Sequence, residues 1–323
     1  MLARAADVIA AGILPAGARS IVCGSSAGLL DALQPFDVLS FTGSADTAAL
    51  IRAHPAVARH SVRANIKADS LNSAILGVDG APGTAVFDLY VNELVREMTI
   101  KSGQRCTAIR RAVVPARYFD AVAEAVGAKL AQISVDNPRN PEVRMGSLVS
   151  REQRDHVQAG IAKLATEAAI LYDGSKQAVI DADPAVAACL APTLPGVRDA
   201  EQGALVHEHE VFGPVSTLLG YRDTAHAMSL AHRGLGSLMV SVFSDDHAWM
   251  PRPAVNWRAH MAVCIWLVPM SAKPRPGMAM SCRRRSMAGP VARAAAKNWE
   301  GCAHSGFTIA AQHCRDHRQR CNS

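Results

Sequence analysis

The sequence predicts an α/β fold in two parts, followed by a tail of different character. Three observations carry that reading. Short apolar or β-branched runs alternate with stretches of helical period, the pattern of strand–helix–strand units. A chain of 323 residues that is 49% hydrophobic can bury a sizeable core, and no run of 18 or more apolar residues occurs, so no transmembrane helix is indicated. Past about residue 246 the charge balance changes. Residues 247–323 hold 12 Lys+Arg against 2 Asp+Glu, a net +10, whereas the remainder holds 22 against 26, a net −4. The expected divisions are 1–75, 76–245 and 246–323, the last a basic, disordered C-terminal tail.

Taken in order, residues 5–14 read as a helix that stops between Gly12 and Pro15. Residues 20–23 are a short strand candidate, 29–33 lie in a helix, and 37–41 form a buried-strand pattern. Thr42-Gly43-Ser44 then leads into a helix at 46–53. Strand, Gly-Ser turn and helix make the geometry in which free N–H groups and the helix dipole face a phosphate. A helical pattern at 87–98 is broken by Ser102-Gly103 and followed by an apolar, β-branched run at 109–114. Cys106 is thereby placed on a helix-to-strand loop among Lys101, Arg105 and Arg110, and cationic neighbours favour the nucleophilic thiolate. Residues 118–133 read as an amphipathic helix and 136–141 as a turn-rich loop. A helix at 151–167 opens on Ser150 with Gln153 three residues on, a capping box.

Few other features invite a function. His207 and His209 suggest a metal pair only superficially, because alternate residues of a regular strand face opposite ways and no third ligand is evident. No metal is expected. Five of the eight cysteines (264, 282, 302, 314 and 321) sit in the tail at spacings that match no zinc module. The tail is basic but holds few aromatics and no recognition motif, so no nucleic-acid partner is expected. Residues 1–14 are Ala-rich with one Arg and lack a signal-peptide layout, so a cytoplasmic protein with no membrane partner is expected.

Gly103-Gln104-Arg105-Cys106 resembles the nucleophile loop of the aldehyde dehydrogenase superfamily. The longer string from Val95-Arg96-Glu97-Met98-Thr99 to Arg110-Arg111 resembles one branch of it. That branch oxidises CoA-thioester semialdehydes formed when bacteria open aromatic rings, in benzoyl-CoA or phenylacetate breakdown. Similarity is read from about residue 5 to about 245. The resemblance implies an aldehyde dehydrogenase-like fold: a partial Rossmann-like cofactor domain at 1–75 and a catalytic α/β domain at 76–245. It makes Cys106 the nucleophile and Gly43 and Ser44 the pyrophosphate turn. In Glu208-His209-Glu210-Val211-Phe212-Gly213-Pro214 it assigns Glu210 to the nicotinamide ribose and Phe212 to the ring. The implied cofactor is NADP, or NAD, the substrate is a CoA-linked semialdehyde, and the family is typically homo-oligomeric.

Two departures stand out. Asn65-Ile66-Lys67-Ala68-Asp69-Ser70-Leu71-Asn72 resembles the branch's general-base strand, but Lys67 stands where the family has Glu, and lysine cannot supply a carboxylate. The tail is the second. Read one base back, the codons implied for residues 287–301 can encode a glycine-rich string resembling the branch's C-terminal motif, so a change of frame is expected between about 246 and 260. The family's domain also extends well upstream of Met1, including the Asn of its oxyanion hole. A working semialdehyde dehydrogenase and an inactive remnant of one both remain open on the sequence.

Overall fold

The computed structural model describes residues 2–12, 15, 17–18, 20–22, 26, 28–176, 181–183, 186–234, 237–246 and 263–267. It divides into two compact units between Ala68 and Asp69.

The first unit opens on α1 (Leu2–Ala10). Strand β1 (Val38–Gly43) pairs in parallel with β2 (Arg63–Ala68), and Thr42 lies opposite Lys67. Between them run α2 (Ala45–Ala53) and α3 (Pro55–Arg59). Leu39 and Phe41 alternate inward on β1 and meet Ala48, Ile51, Val57 and Val62 in a small core. Two expectations fail here. Ser20, Ile21 and Val22 form no strand, and Cys23 lies outside the described residues. Residues 29–33 are turns with i→i+3 bonds, Asp31 N–H to Gly28 O and Leu33 N–H to Leu30 O, not a helix. Gln34 precedes Pro35, which disfavours helix at that position, and gives its N–H to Asp37 Oδ2 instead.

In the second unit, β3 (Ser73–Leu76) and β4 (Arg111–Pro115) occupy the middle of a seven-stranded sheet. The other strands are β5 (Ala169–Asp173), β6 (Thr193–Val197), β7 (Thr217–Tyr221), β8 (Met239–Phe243) and β9 (Val263–Leu267). Their order is β5-β6-β7-β4-β3-β8-β9, parallel throughout except for the β5–β6 pair. Parallel strands need covering on both faces, and alternation supplies two cores. Ala74, Leu76, Ala112, Val114, Leu218 and Phe243 point to one side, against α4 (Ala85–Thr99) and α5 (Phe119–Leu130). Ile75, Val113, Leu219 and Val242 point to the other, against α6 (Arg151–Leu164), α7 (Leu205–Glu208) and α8 (Thr224–Arg233).

The string from Asn65 to Asn72, which resembles a single general-base strand, is divided: β2 ends at Ala68 in the first unit and β3 begins at Ser73 in the second. The capping box on α6 is half formed: Ser150 Oγ accepts from Gln153 N–H, but the Gln153 side chain gives its N–H to Phe212 O. Strand β9 lies inside the segment expected to be disordered, paired in parallel with β8; the rest of that segment lies outside the described residues.

Candidate active site

Helix α4 begins at Thr84, whose Oγ1 accepts from Phe87 N–H, and buries Tyr90, Val91, Leu94 and Met98 along one stripe. It leads into three consecutive residues of left-handed backbone: Lys101 (φ 53°), Ser102 (φ 55°) and Gly103 (φ 68°). Each non-glycine residue there costs roughly 1–2 kcal/mol, so other contacts must hold the turn. Ser102 Oγ lies within hydrogen-bond reach of Gly146 O (2.8 Å) and Ser147 O (3.2 Å). Gln104 Oε1 accepts from Val149 N–H. Gly103 is required twice over, because a Cβ on it would sit 2.1 Å from Gly213 O.

Cys106 follows as a free, half-buried thiol. Its loop is fixed from below by Asn72, which donates through Nδ2 to Cys106 O (3.0 Å) and Ala108 O (2.9 Å). Of the three cations expected around it, only Lys101 is exposed. Arg105 pairs with Glu97 at 2.6 Å. Burial pushes the Glu97 carboxyl up, against the pull of Arg105.

Arg110 is the hub. Its Nε meets Glu210 Oε1 at 3.2 Å, and its other nitrogens donate to Gly213 O and Gly103 O, both at 2.8 Å. The guanidinium also lies 5.3 Å from the Phe212 ring centroid. Glu210 Oε2 accepts from Ser70 N–H at 2.8 Å. Burial raises the Glu210 carboxyl and lowers the Arg110 guanidinium, each against the attraction of its partner. One buried arginine therefore ties the Cys106 loop to the loop carrying Glu210 and Phe212.

Arg111, fully buried, does a different job. It donates to Leu71 O, and it caps the C-terminal end of α8 through Leu230 O and Ala231 O. It also donates to His207 Nδ1 at 3.0 Å. Arginine only donates, so Nδ1 accepts, and Nε2–H gives to Ala200 O. Burial lowers His207 to about 4 and Arg111 to about 9. His207 is a neutral core histidine, and among the described residues no cluster of three metal-binding side chains exists.

The remaining sequence candidates lie in the first unit. Gly43 ends β1 and Ser44 caps α2, its Oγ accepting from Thr47 N–H, so the expected strand–turn–helix is formed. Lys67 is half-buried on β2. Cys106, Glu210 and Phe212 belong to the second unit, where Arg110 links the loops that carry them. Sequence reasoning quoted Asn72 without giving it a part, and it treated Arg110 as a local charge. Neither residue's partners can be found from spacing.

The aldehyde dehydrogenase family matches residues 1–283. A 3,4-dehydroadipyl-CoA semialdehyde dehydrogenase of Aromatoleum evansii is 46% identical over 311 residues, which cover 90% of this chain and 60% of that protein. Both matches run past residue 245, where the sequence reading ended the resemblance. A putative aldehyde dehydrogenase of Staphylococcus saprophyticus is 28% identical over 72% of the chain and 47% of its own length. A betaine aldehyde dehydrogenase of Staphylococcus aureus, solved with NAD+, superposes with a TM-score of 0.59 at 26% identity, over 72% of this chain and 44% of that one. The chain thus spans between two-fifths and two-thirds of the length of these proteins.

Proposed function

The chain belongs to the aldehyde dehydrogenase family, and on that premise we propose that it carries the nucleophile of a dehydrogenase that oxidises a CoA-linked semialdehyde to the acid. The observation that carries the reading is Cys106: a half-buried thiol on a loop held by Asn72, Ser102, Gln104 and Arg110. The Aromatoleum evansii relative supports the choice of substrate class.

In this reading the Cys106 thiolate adds to the aldehyde carbon, forming a C–S bond and a thiohemiacetal. A nicotinamide cofactor, NADP or NAD, supplies the hydride acceptor. The turn at Gly43-Ser44 fits its pyrophosphate, since β1 ends on a residue without Cβ and α2 starts on an N-cap serine. Glu210 and Phe212 serve the ribose and nicotinamide end, with Arg110 setting the direction of the Glu210 carboxylate. Loss of hydride leaves a thioester on Cys106, and water must cleave that C–S bond to release the acid and restore the thiol. A base has to take the proton of that water, and Lys67 stands where the family's carboxylate is expected. We take the protein to act in the cytoplasm. Among the described residues no helix is long and apolar enough to cross a membrane.

The test is mass mapping of the purified chain after mixing with a CoA-linked semialdehyde and NADP or NAD. An acyl adduct confined to Cys106, lost in Cys106→Ser, supports the reading. Adducts spread over several cysteines, or none, overturn it.

A further inference from the structure

Asn72 is 1% exposed, and each polar atom of its side chain is engaged. Nδ2 donates to Cys106 O and Ala108 O. Oδ1 accepts from Leu238 N–H (3.0 Å), from Met239 N–H (2.9 Å) and from Ser70 Oγ (2.7 Å). Its own backbone O accepts from Arg110 N–H and Arg111 N–H. One residue therefore grips the loop from 106 to 111 at four points and ties it to the start of β8.

We propose that Asn72 is a positioning residue for the nucleophile: its amide fixes the carbonyls of Cys106 and Ala108 and so holds the thiol in one direction. This rests on the reading of Cys106 as the nucleophile. The loop from 104 to 109 lies between the left-handed turn and β4, outside both elements, so the carbonyls of Cys106 and Ala108 take their partner from a side chain, Asn72. A primary amide has two N–H bonds in one plane at a fixed angle, and two carbonyls bonded to them are locked in a single relation. The acceptor half of the same amide is anchored on β8 and cannot swing. With the Nδ2 donors removed, the Cys106 peptide is free to turn, and with it the direction of Sγ.

Asparagine's two halves can be separated. Asn72→Asp keeps an acceptor for Leu238, Met239 and Ser70 and loses both donors to the loop. Asn72→Ala loses both halves. The experiment alkylates the full chain with iodoacetamide over roughly pH 6 to 9 and reads Cys106 and Cys189 separately by peptide mass mapping. Cys189, also half-buried, is the internal reference. Expected is a slowing of Cys106 by about tenfold in both variants, the weight of roughly one buried hydrogen bond, with Cys189 unchanged. In Asn72→Asp the defect should also shrink as pH falls, because a protonated carboxyl can again donate to one carbonyl. A merely structural role would slow or speed both cysteines together and give a defect that does not vary with pH. Either that result or an unchanged Cys106 overturns the proposal. Should Asn72→Ala fail to fold, Asn72→Asp alone decides. The wild-type ratio of Cys106 to Cys189 tests the nucleophile reading separately: a Cys106 no faster than Cys189 defeats that reading, while the variant-to-wild-type ratio at Cys106 still judges Asn72.

Discussion

Acid should destabilise this chain more than its own His207→Gln variant. His207 is 3% exposed, accepts from Arg111 at Nδ1 and donates from Nε2 to Ala200 O, so the folded protein holds it neutral. A proton on Nδ1 would remove that acceptor and face a second cation. Burial lowers the imidazole from 6.5 to about 4. Because the folded-state value lies below the unfolded one, the unfolded chain takes up the proton first. Stability is whole above about pH 6.5 and is lost as pH falls towards 4. A gap of that size is worth roughly 3 kcal/mol. Other groups titrate in the same window, and burial of Glu97 and Glu210 acts in the opposite sense. The informative quantity is therefore the difference between wild type and His207→Gln, in which glutamine offers a donor and an acceptor but does not titrate. Urea unfolding followed by circular dichroism at pH 7 and at pH 4 supplies it. The wild-type midpoint should fall relative to the variant by roughly 1–3 M urea, given slopes of about 1–3 kcal/mol per molar. Parallel pH dependences would refute the reasoning: His207 would then titrate alike folded and unfolded, and the Arg111–His207–Ala200 chain would not hold in solution.

Three further outcomes can be measured, the first two resting on the geometry of Arg110 and Gly103 and the third on the family resemblance at Lys67. Arg110→Met should cost about 3–5 kcal/mol in urea unfolding, because it leaves the Glu210 carboxylate buried without its cation; a loss below about 1 kcal/mol would mean the pair is solvated. Gly103→Ala should cost about 2–5 kcal/mol, from left-handed backbone together with overpacking against the Gly213 carbonyl. With the family's upstream part and its C-terminal frame both supplied, Lys67→Glu should raise steady turnover of a CoA-linked semialdehyde by roughly 10²–10⁴-fold, the ordinary weight of a general base, whereas the Lys67 form gives at most one burst of reduced cofactor. Equal steady rates in the two forms would show that Lys67 does not stand at the base position.

What the sequence could tell depended on how local the cause was. Helix α4, the break at Ser102-Gly103 and strand β4 were legible because a 3.6-residue stripe, a turn pair and a β-branched run are written within a few residues. The turn at Gly43-Ser44 and the cap at Ser150 were legible for the same reason. Residues 29–33 misled because five residues are too few to separate a helix from successive turns, and Pro35 decided the matter. Gln153 satisfied its sequence pattern but found a better partner in Phe212 O, 59 residues away. Arg110 and Arg111 look alike on paper, two charges beside an apolar run. One bonds across to Glu210 and the other caps α8, and no spacing rule distinguishes them. The family resemblance nominated Cys106 and Glu210; the side chains that hold them needed the fold.

The sheet order has a consequence for the ribosome. Strand β4 is flanked by β3, made before it, and by β7, made about 100 residues after it. Glu210 and Gly213, which anchor Arg110, emerge in the same late stretch. At translation speeds of about 5–20 residues per second, Cys106 is synthesised roughly 5–20 s before the last of the partners that fix its loop. Until those partners arrive the thiol is expected to react as an unfolded cysteine does, with oxidants and electrophiles. A nascent chain halted once β4 but not β7 has left the exit tunnel should therefore be alkylated at Cys106 like any unfolded cysteine, and should gain its own rate only once β7 has emerged.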